Sequence, residues 1–221
     1  MKERSQKKNF CITASLLVLF ALWTVAICYI DVQAIGPRES VVGFAVLNGA
    51  FHELTGVHML IYTIIDWLGL VPLGFILGFA LLGFVQLIKR KSLFKVDSDI
   101  LLLGGFYMIV MAAYVLFEIF VINYRPILIE GYLEASYPSS TTMLVMCVMP
   151  TAMMQFNRRI KNNRMKRLLS YAMIAFIVFM VIGRLVSGVH WFTDIIGGAL
   201  FSSGLVMLYY SMIGCSAKLI K

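Results

Sequence analysis

The sequence predicts an all-α fold: a polytopic bundle of six transmembrane helices with an interfacial helix between spans one and two. Three observations carry that prediction. Hydrophobic residues make up 61% of the 221 residues and charged residues only 14%, whereas a soluble domain is about 45–50% apolar. Six apolar runs, residues 10–30, 68–87, 100–122, 141–156, 168–183 and 192–212, are each bounded by charges or turn residues. A helix needs roughly 20 such residues to cross a bilayer. Finally, sixteen of the 19 Lys and Arg residues fall on one side of the six-span path, which the positive-inside rule makes cytoplasmic.

The first run follows a basic leader, Lys2, Arg4, Lys7 and Lys8. It is longer than the roughly 7–15-residue core of a signal peptide and reads as an uncleaved anchor. Residues 31–67 are less patterned. The stretch 40–54 is too short to span but carries Val41, Val42, Phe44, Ala45, Val46, Leu47 and Phe51, the composition of an interfacial helix. His52 and His58 lie here. Solvent-facing or capping roles are the commoner fate of such histidines, and presentation to a site as a proton donor is the alternative. Asp66, near the top of span two, is placed to pair with one of them. Runs four and five are short, so their ends are expected to extend through Pro138, Ser139 and Ser140 and past Arg184.

Lys89, Arg90, Lys91 and Lys95 follow run two; Arg158, Arg159, Lys161, Arg164, Lys166 and Arg167 follow run four; Lys218 and Lys221 end the chain. The net charge of +8 is thus topological and gives no reason to expect nucleic acid. Both termini are expected in the cytoplasm. With no internal repeat and no linker, residues 1–221 read as one domain. Cys11, Cys28, Cys147 and Cys215 show no metal-type spacing and read as packing residues.

Only Arg38, Arg125 and Arg184 remain for the outer side. Three segments emerge there together: Asn123-Tyr124-Arg125-Pro126, then Tyr137-Pro138-Ser139-Ser140-Thr141-Thr142, and the stretch from Arg184 to Asp194. Ionisable groups at membrane depth are costly and functional by default. If the residues after His190 are helical, Asp194 lies on the same face and within hydrogen-bond reach of the imidazole, which would orient it for nucleophilic or acid–base work. Arg184 adds a planar cation suited to phosphate. Pro138 followed by hydroxyl residues reads as a helix start, whose free N–H groups attract anions. Each residue also has a plainer reading. His190 beside Trp191 could be an interfacial anchor, Arg125 a snorkelling end residue, Glu118 a salt-bridge partner of Arg125 or Arg184, and Ser139, Ser140 and Thr141 caps.

In these motifs the chain resembles the type 2 phosphatidic acid phosphatase and vanadium haloperoxidase superfamily, in its membrane-bound lipid phosphatase branch. That family's pattern runs K-x6-R-P, P-S-G-H and S-R-x5-H-x3-D. Arg125-Pro126 matches the end of the first motif, Pro138-Ser139 the start of the second, and Arg184, His190 and Asp194 the third. Three positions depart: Glu118 stands where the family has lysine, Gly183 replaces serine, and Thr141 replaces the second-motif histidine, which in the family protonates the leaving group. The resemblance implies that His190 attacks phosphorus to give a phosphohistidine, with Asp194 holding the ring. Arg125, Arg184, Ser139, Ser140 and Thr141 would bind the phosphate; Glu118, His52 and His58 are auxiliary candidates. Neither metal nor cofactor is implied.

Two function classes follow. One is a lipid phosphatase or phosphotransferase on the extracytoplasmic face of the cytoplasmic membrane, acting on a lipid phosphate or diphosphate. The other is a weakly active or inactive protein that binds or moves lipid phosphates. Loss of an acid worth roughly 10²–10⁴-fold in rate favours lipid diphosphates, such as isoprenoid diphosphates, as substrates.

Overall fold

A computed structural model describes residues 2–219, with side chains described for residues 6–214. The side chains of Lys2, Arg4, Cys215, Lys218 and Lys221 therefore lie outside the described residues. Regular structure within them is helical: α1 (Lys2–Tyr29), α2 (Ala45–Thr55), α3 (Met59–Leu68), α4 (Leu70–Arg90), α5 (Ser98–Ile119), α6 (Ser140–Arg159), α7 (Asn163–Val186) and α8 (Phe192–Leu219). Three isolated bridges, Gln33 with Val42, Tyr124 with Ala135 and Ile129 with Tyr132, are the only β pairings among the described residues.

Among the described residues, five helical stretches are long and apolar enough to cross a membrane: Gln6–Tyr29, Met59–Arg90, Ser98–Ile119, Asn163–Val186 and Phe192–Gly214. One sequence expectation needs correction here. The second span starts nine residues earlier than its apolar run suggested, because α3 and α4 form one stretch broken at Gly69. There the Gly69 N–H bonds to the carbonyls of Ile65 and Asp66, and an added Cβ would lie 2.9 Å from the Asp66 carbonyl oxygen.

The expected fourth span corresponds to α6, which is not apolar enough to stand among the five. It carries Pro150, Thr142, Thr151 and Gln155, and it is surrounded by helices α4, α5, α7 and α8. Val145, Cys147, Val148 and Ala152 are wholly buried. Two of its polar side chains are satisfied internally: Thr151 Oγ1 donates to the Cys147 carbonyl at 2.8 Å and meets the Tyr107 hydroxyl at 3.2 Å. The Gln155 amide donates to the Tyr209 hydroxyl at 2.6 Å. A helix whose neighbours are helices does not need lipid-like side chains all round.

Run five extends past Arg184 to Val186 as expected, whereas run four gains only Ser140, since α6 starts there with Ser139 as its N-cap and Pro138 stays outside the helix. The expected helix within residues 40–54 is α2. Asp31 holds its start, accepting from the Val46 N–H at 2.7 Å. Long apolar side chains on the perimeter, Leu22, Leu77, Met108 and Leu168 among them, are exposed, as lipid-facing surfaces are. The first helix is tied in by the α1–α8 pairing: Phe20 packs on Phe201 and Tyr137, and the Trp23 indole donates to the Thr193 carbonyl at 3.2 Å.

Candidate active site

Chain direction brings the α5–α6 connection, the α7–α8 turn and the α2–α3 connection to one end of the bundle. After α5 the chain forms a narrow hairpin in which Arg125 N–H donates to the Glu134 carbonyl at 3.0 Å and Ser136 N–H to the Asn123 carbonyl at 2.9 Å. This register turns Arg125 inward, 8% exposed. Arg184 occupies the last turn of α7 and is 1% exposed. Ser187 ends that helix by donating from Oγ to the Arg184 carbonyl at 2.7 Å. Gly188 follows with φ of +68°, a left-handed conformation that glycine adopts without cost.

His190 sits in this turn, two residues before α8, and is buried. Its Nδ1 donates to the Ser136 carbonyl at 3.1 Å, while the nearer Asp194 oxygen lies 3.6 Å away. The sequence expectation of a direct His190–Asp194 hydrogen bond is therefore corrected. The residues around His190 are not helical, and the carboxylate is engaged elsewhere: Oδ2 accepts from the Trp191 N–H at 2.9 Å and Oδ1 from the Asn123 amide at 3.2 Å. The Asp194 carboxyl group stands behind the ring; the Ser136 carbonyl fixes the ring's tautomer.

With Nδ1 carrying the proton, Nε2 carries the lone pair. This Nε2 is buried and has no hydrogen-bond partner, and the same holds for Nη1 of Arg125 and for Nε and Nη1 of Arg184. Arg125 Nε lies 3.1 Å from a Glu134 carboxylate oxygen but is not aligned on it as a hydrogen bond. Burial, then the Arg184 and Arg125 cations, hold the His190 pKa well below its usual 6.5, so the ring is neutral at physiological pH. Tyr62 of α3 lies against both cations, with ring centroid 5.1 Å from Arg184 and 6.0 Å from Arg125. Buried polar groups are almost always satisfied. Unpartnered cationic donors close enough to a free imidazole nitrogen to act on its charge are chemically suited to a tetrahedral oxyanion.

Residues 107–216 match the profile of the PAP2 superfamily. The chain belongs to that family. Its fold is similar to that of a transmembrane PAP2-type phosphatidylglycerolphosphate phosphatase from Bacillus subtilis, with a TM-score of 0.63 at 19% identity over 95% of this chain and 97% of that one. No curated protein matches the sequence. The protein is thus a PAP2-type integral membrane protein whose fold is that of a membrane lipid phosphatase.

Several other expected site residues stand differently within this PAP2 fold. Glu118 does not pair with either arginine: it is exposed on α5, beside Tyr114 and Ser140 on a small cleft, and Glu134 takes the place by Arg125. Asp66 pairs with Arg184, at 4.0 Å, and not with a histidine. Ser139 is a capping residue, its Oγ accepting from Thr142 N–H at 3.5 Å and its own N–H donating to the Asp194 carbonyl at 3.1 Å. Thr141 is half-buried on the first turn of α6 and makes no side-chain hydrogen bond among the described residues. His58 is exposed and its Nε2 meets the Thr55 carbonyl at 2.9 Å, as a capping histidine does. His52 is brought closer, its ring centroid 5.6 Å from that of Trp191, and burial lowers its pKa against the opposing charge of Glu53.

Sequence reasoning missed Tyr62, Asn123 and Ser136. Asn123 stands within the segment Asn123-Tyr124-Arg125-Pro126 and offered a faint signal, a carboxamide at the end of an apolar run. The Ser136 contribution is a main-chain carbonyl and left no trace in residue type.

Proposed function

We propose that the protein is a lipid phosphatase that hydrolyses a lipid phosphate or diphosphate through a phosphohistidine on His190. One observation carries the reading: Arg125 and Arg184, with buried and unpartnered nitrogens, lie near enough to His190 and its free Nε2 to act on its charge. The Nε2 lone pair attacks phosphorus while the bridging P–O bond breaks, its electrons leaving with the lipid-side oxygen. The ring, now cationic, keeps its Nδ1–H on the Ser136 carbonyl and is stabilised by the Asp194 carboxylate behind it. Arg125 and Arg184 neutralise the equatorial oxygens. Water then adds to phosphorus, the N–P bond breaks, and inorganic phosphate leaves with the water-derived hydroxyl.

The leaving group sets the substrate. An alkoxide, whose conjugate acid has a pKa on the order of 15, must be protonated as it departs. A lipid monophosphate, with a second pKa of about 6 as for phosphorylated side chains, departs unaided. With Thr141 in the family's acid position, lipid diphosphates are the preferred substrates. In this reading α6 completes six crossings, α2 lies at the interface and the 221 residues act as one unit. Both termini and the basic loops face the cytoplasm, and His190 faces the opposite side.

The test is phosphate release by purified protein from a prenyl diphosphate and from phosphatidic acid, each against His190→Ala. Faster diphosphate hydrolysis that depends on His190 supports the proposal. Equal rates would point to His52 as a substitute acid, and tight binding without turnover on either substrate would favour a lipid-phosphate carrier.

A further inference from the structure

We propose that Asn48 is a positioning residue for the nucleophile: reaching from α2, it caps the first turn of α8 and thereby fixes the turn that presents His190. The consequence for turnover rests on the phosphohistidine reading above, whereas the capping itself does not.

Because α8 starts at Phe192, Trp191 occupies the N-cap position, where a Ser, Thr, Asp or Asn oxygen ordinarily accepts from an amide two or three residues on. Tryptophan has no such oxygen, and the Trp191 indole donates away from the helix, to the Tyr124 carbonyl at 2.7 Å. Asp194 supplies half of a capping box by accepting from the Trp191 N–H. The other half comes from 145 residues earlier in the chain: Thr193 N–H donates to Asn48 Oδ1 at 3.2 Å, and Asn48 Nδ2 donates to Thr193 Oγ1 at 2.9 Å. The same Nδ2 reaches the Gly43 carbonyl at 2.8 Å. Asparagine is a poor interior helix residue, yet here it is wholly buried in the first turns of α2, where these three bonds satisfy it.

The other side of the turn is held from the same segment. His58 N–H donates to the Ser187 carbonyl at 3.0 Å, and a Cβ on Gly188 would lie 1.8 Å from the Gly56 carbonyl oxygen. Between these points Phe51 stacks on Phe192 at 4.1 Å. Residues 48–58 thus grip residues 187–193 at both ends, with His190 in the middle, and a displacement of about 1 Å at a reacting atom can cost on the order of 10²-fold.

The experiment follows amide hydrogen exchange and steady-state kinetics of the full-length protein in phospholipid nanodiscs. In the parent, the Thr193 amide should exchange about tenfold more slowly than the Asp99 amide at the matching position of α5, whose N-cap Asp97 makes no side-chain capping bond. Asn48→Leu should speed exchange of amides 192–194 about tenfold and lower kcat 10- to 100-fold with KM within about twofold. Asn48→Asp keeps the acceptor and should recover both readouts to within about threefold of the parent. Parent amides as fast as those of α5, or Asn48→Leu leaving exchange and kcat unchanged while His190→Ala abolishes turnover, would overturn the positioning role. If His190→Ala leaves phosphate release intact, the proposed function fails, and the exchange data alone still decide whether Asn48 is the cap.

Discussion

The two ends of the helix bundle treat arginine in opposite ways. At the end formed by the α4–α5 and α6–α7 connections, every described contact of an arginine guanidinium finds a carboxylate or carbonyl within reach. Arg90 meets Asp97 at 2.7 Å, Arg159 meets Asp99 at 3.0 Å, and Arg158 lies 3.9 Å from the same Asp99. At the other end Arg125 and Arg184 are far more buried and converge on Tyr62. Their carboxylates, Glu134 and Asp66, have side chains 41% and 61% exposed, and Arg184 keeps two nitrogens unpartnered. Burying a cation without close compensation is expensive. The first end uses its charges to hold loops together, and the second, on the proposed reading, keeps them for the phosphate of a substrate.

The contrast can be broken by exchanging the roles, and the largest effect is expected at the second end. His190→Ala should reduce phosphate release on the order of 10⁴-fold or more, as loss of a nucleophile does, with the thermal midpoint nearly unchanged. Arg184→Gln should lower kcat/KM by about 10²–10³-fold without destabilising the fold. Arg159→Gln should do the reverse, costing about 1 kcal/mol of stability and leaving the kcat of folded protein intact. Parallel thermal unfolding and turnover measurements decide it. A stable, slow Arg159→Gln protein, or an unstable but active Arg184→Gln protein, would erase the distinction between the two ends.

The pH dependence sharpens the same point. As the proposed nucleophile His190 must be neutral to attack, and its pKa lies well below 6.5 because of burial and the two arginines. Activity should therefore persist as pH falls through 6.5 and be lost only when the lowered pKa is crossed. Stability moves the same way. Below 6.5 the unfolded chain takes up a proton at His190 that the folded chain refuses, so the contribution is whole above 6.5 and declines as pH falls toward the lowered value. A kcat/KM profile should show this acid limb, and Arg184→Gln should move it upward, since one depressing charge is gone. A parent limb at 6.5 or above would contradict the geometry. The smallest effect is expected at Glu118, exposed and away from both arginines: Glu118→Gln should change stability by less than about 0.5 kcal/mol and turnover by less than about twofold.

What the sequence disclosed follows physical lines. Arg184, His190 and Asp194 stood out because polar groups in an apolar run are anomalous, and their spacing is local. The partner of Arg125 was misassigned to Glu118 because the motif distance runs along the chain, whereas the hairpin brings Glu134 back across it. Tyr62 and Asn48 act from helices 63 and 145 residues removed from Arg125 and Thr193, and no periodicity betrays such a partner. The helix α6 reads as a modest apolar run, since nothing local announces that neighbouring helices will enclose it.

That enclosure bears on how the protein is made. Lipid alone holds a helix in proportion to its apolar surface, and α6, with its threonines, proline and glutamine, offers less than the other five stretches. Its nearest partners include α7 and α8, which the ribosome produces later. During synthesis α6 must therefore wait, sheltered beside α4 and α5 or within the insertion machinery, until the chain that follows supplies its remaining walls. The turn between α7 and α8 that carries His190 takes its place only after that late assembly step, so the proposed site becomes competent once α8 has joined the bundle and not before.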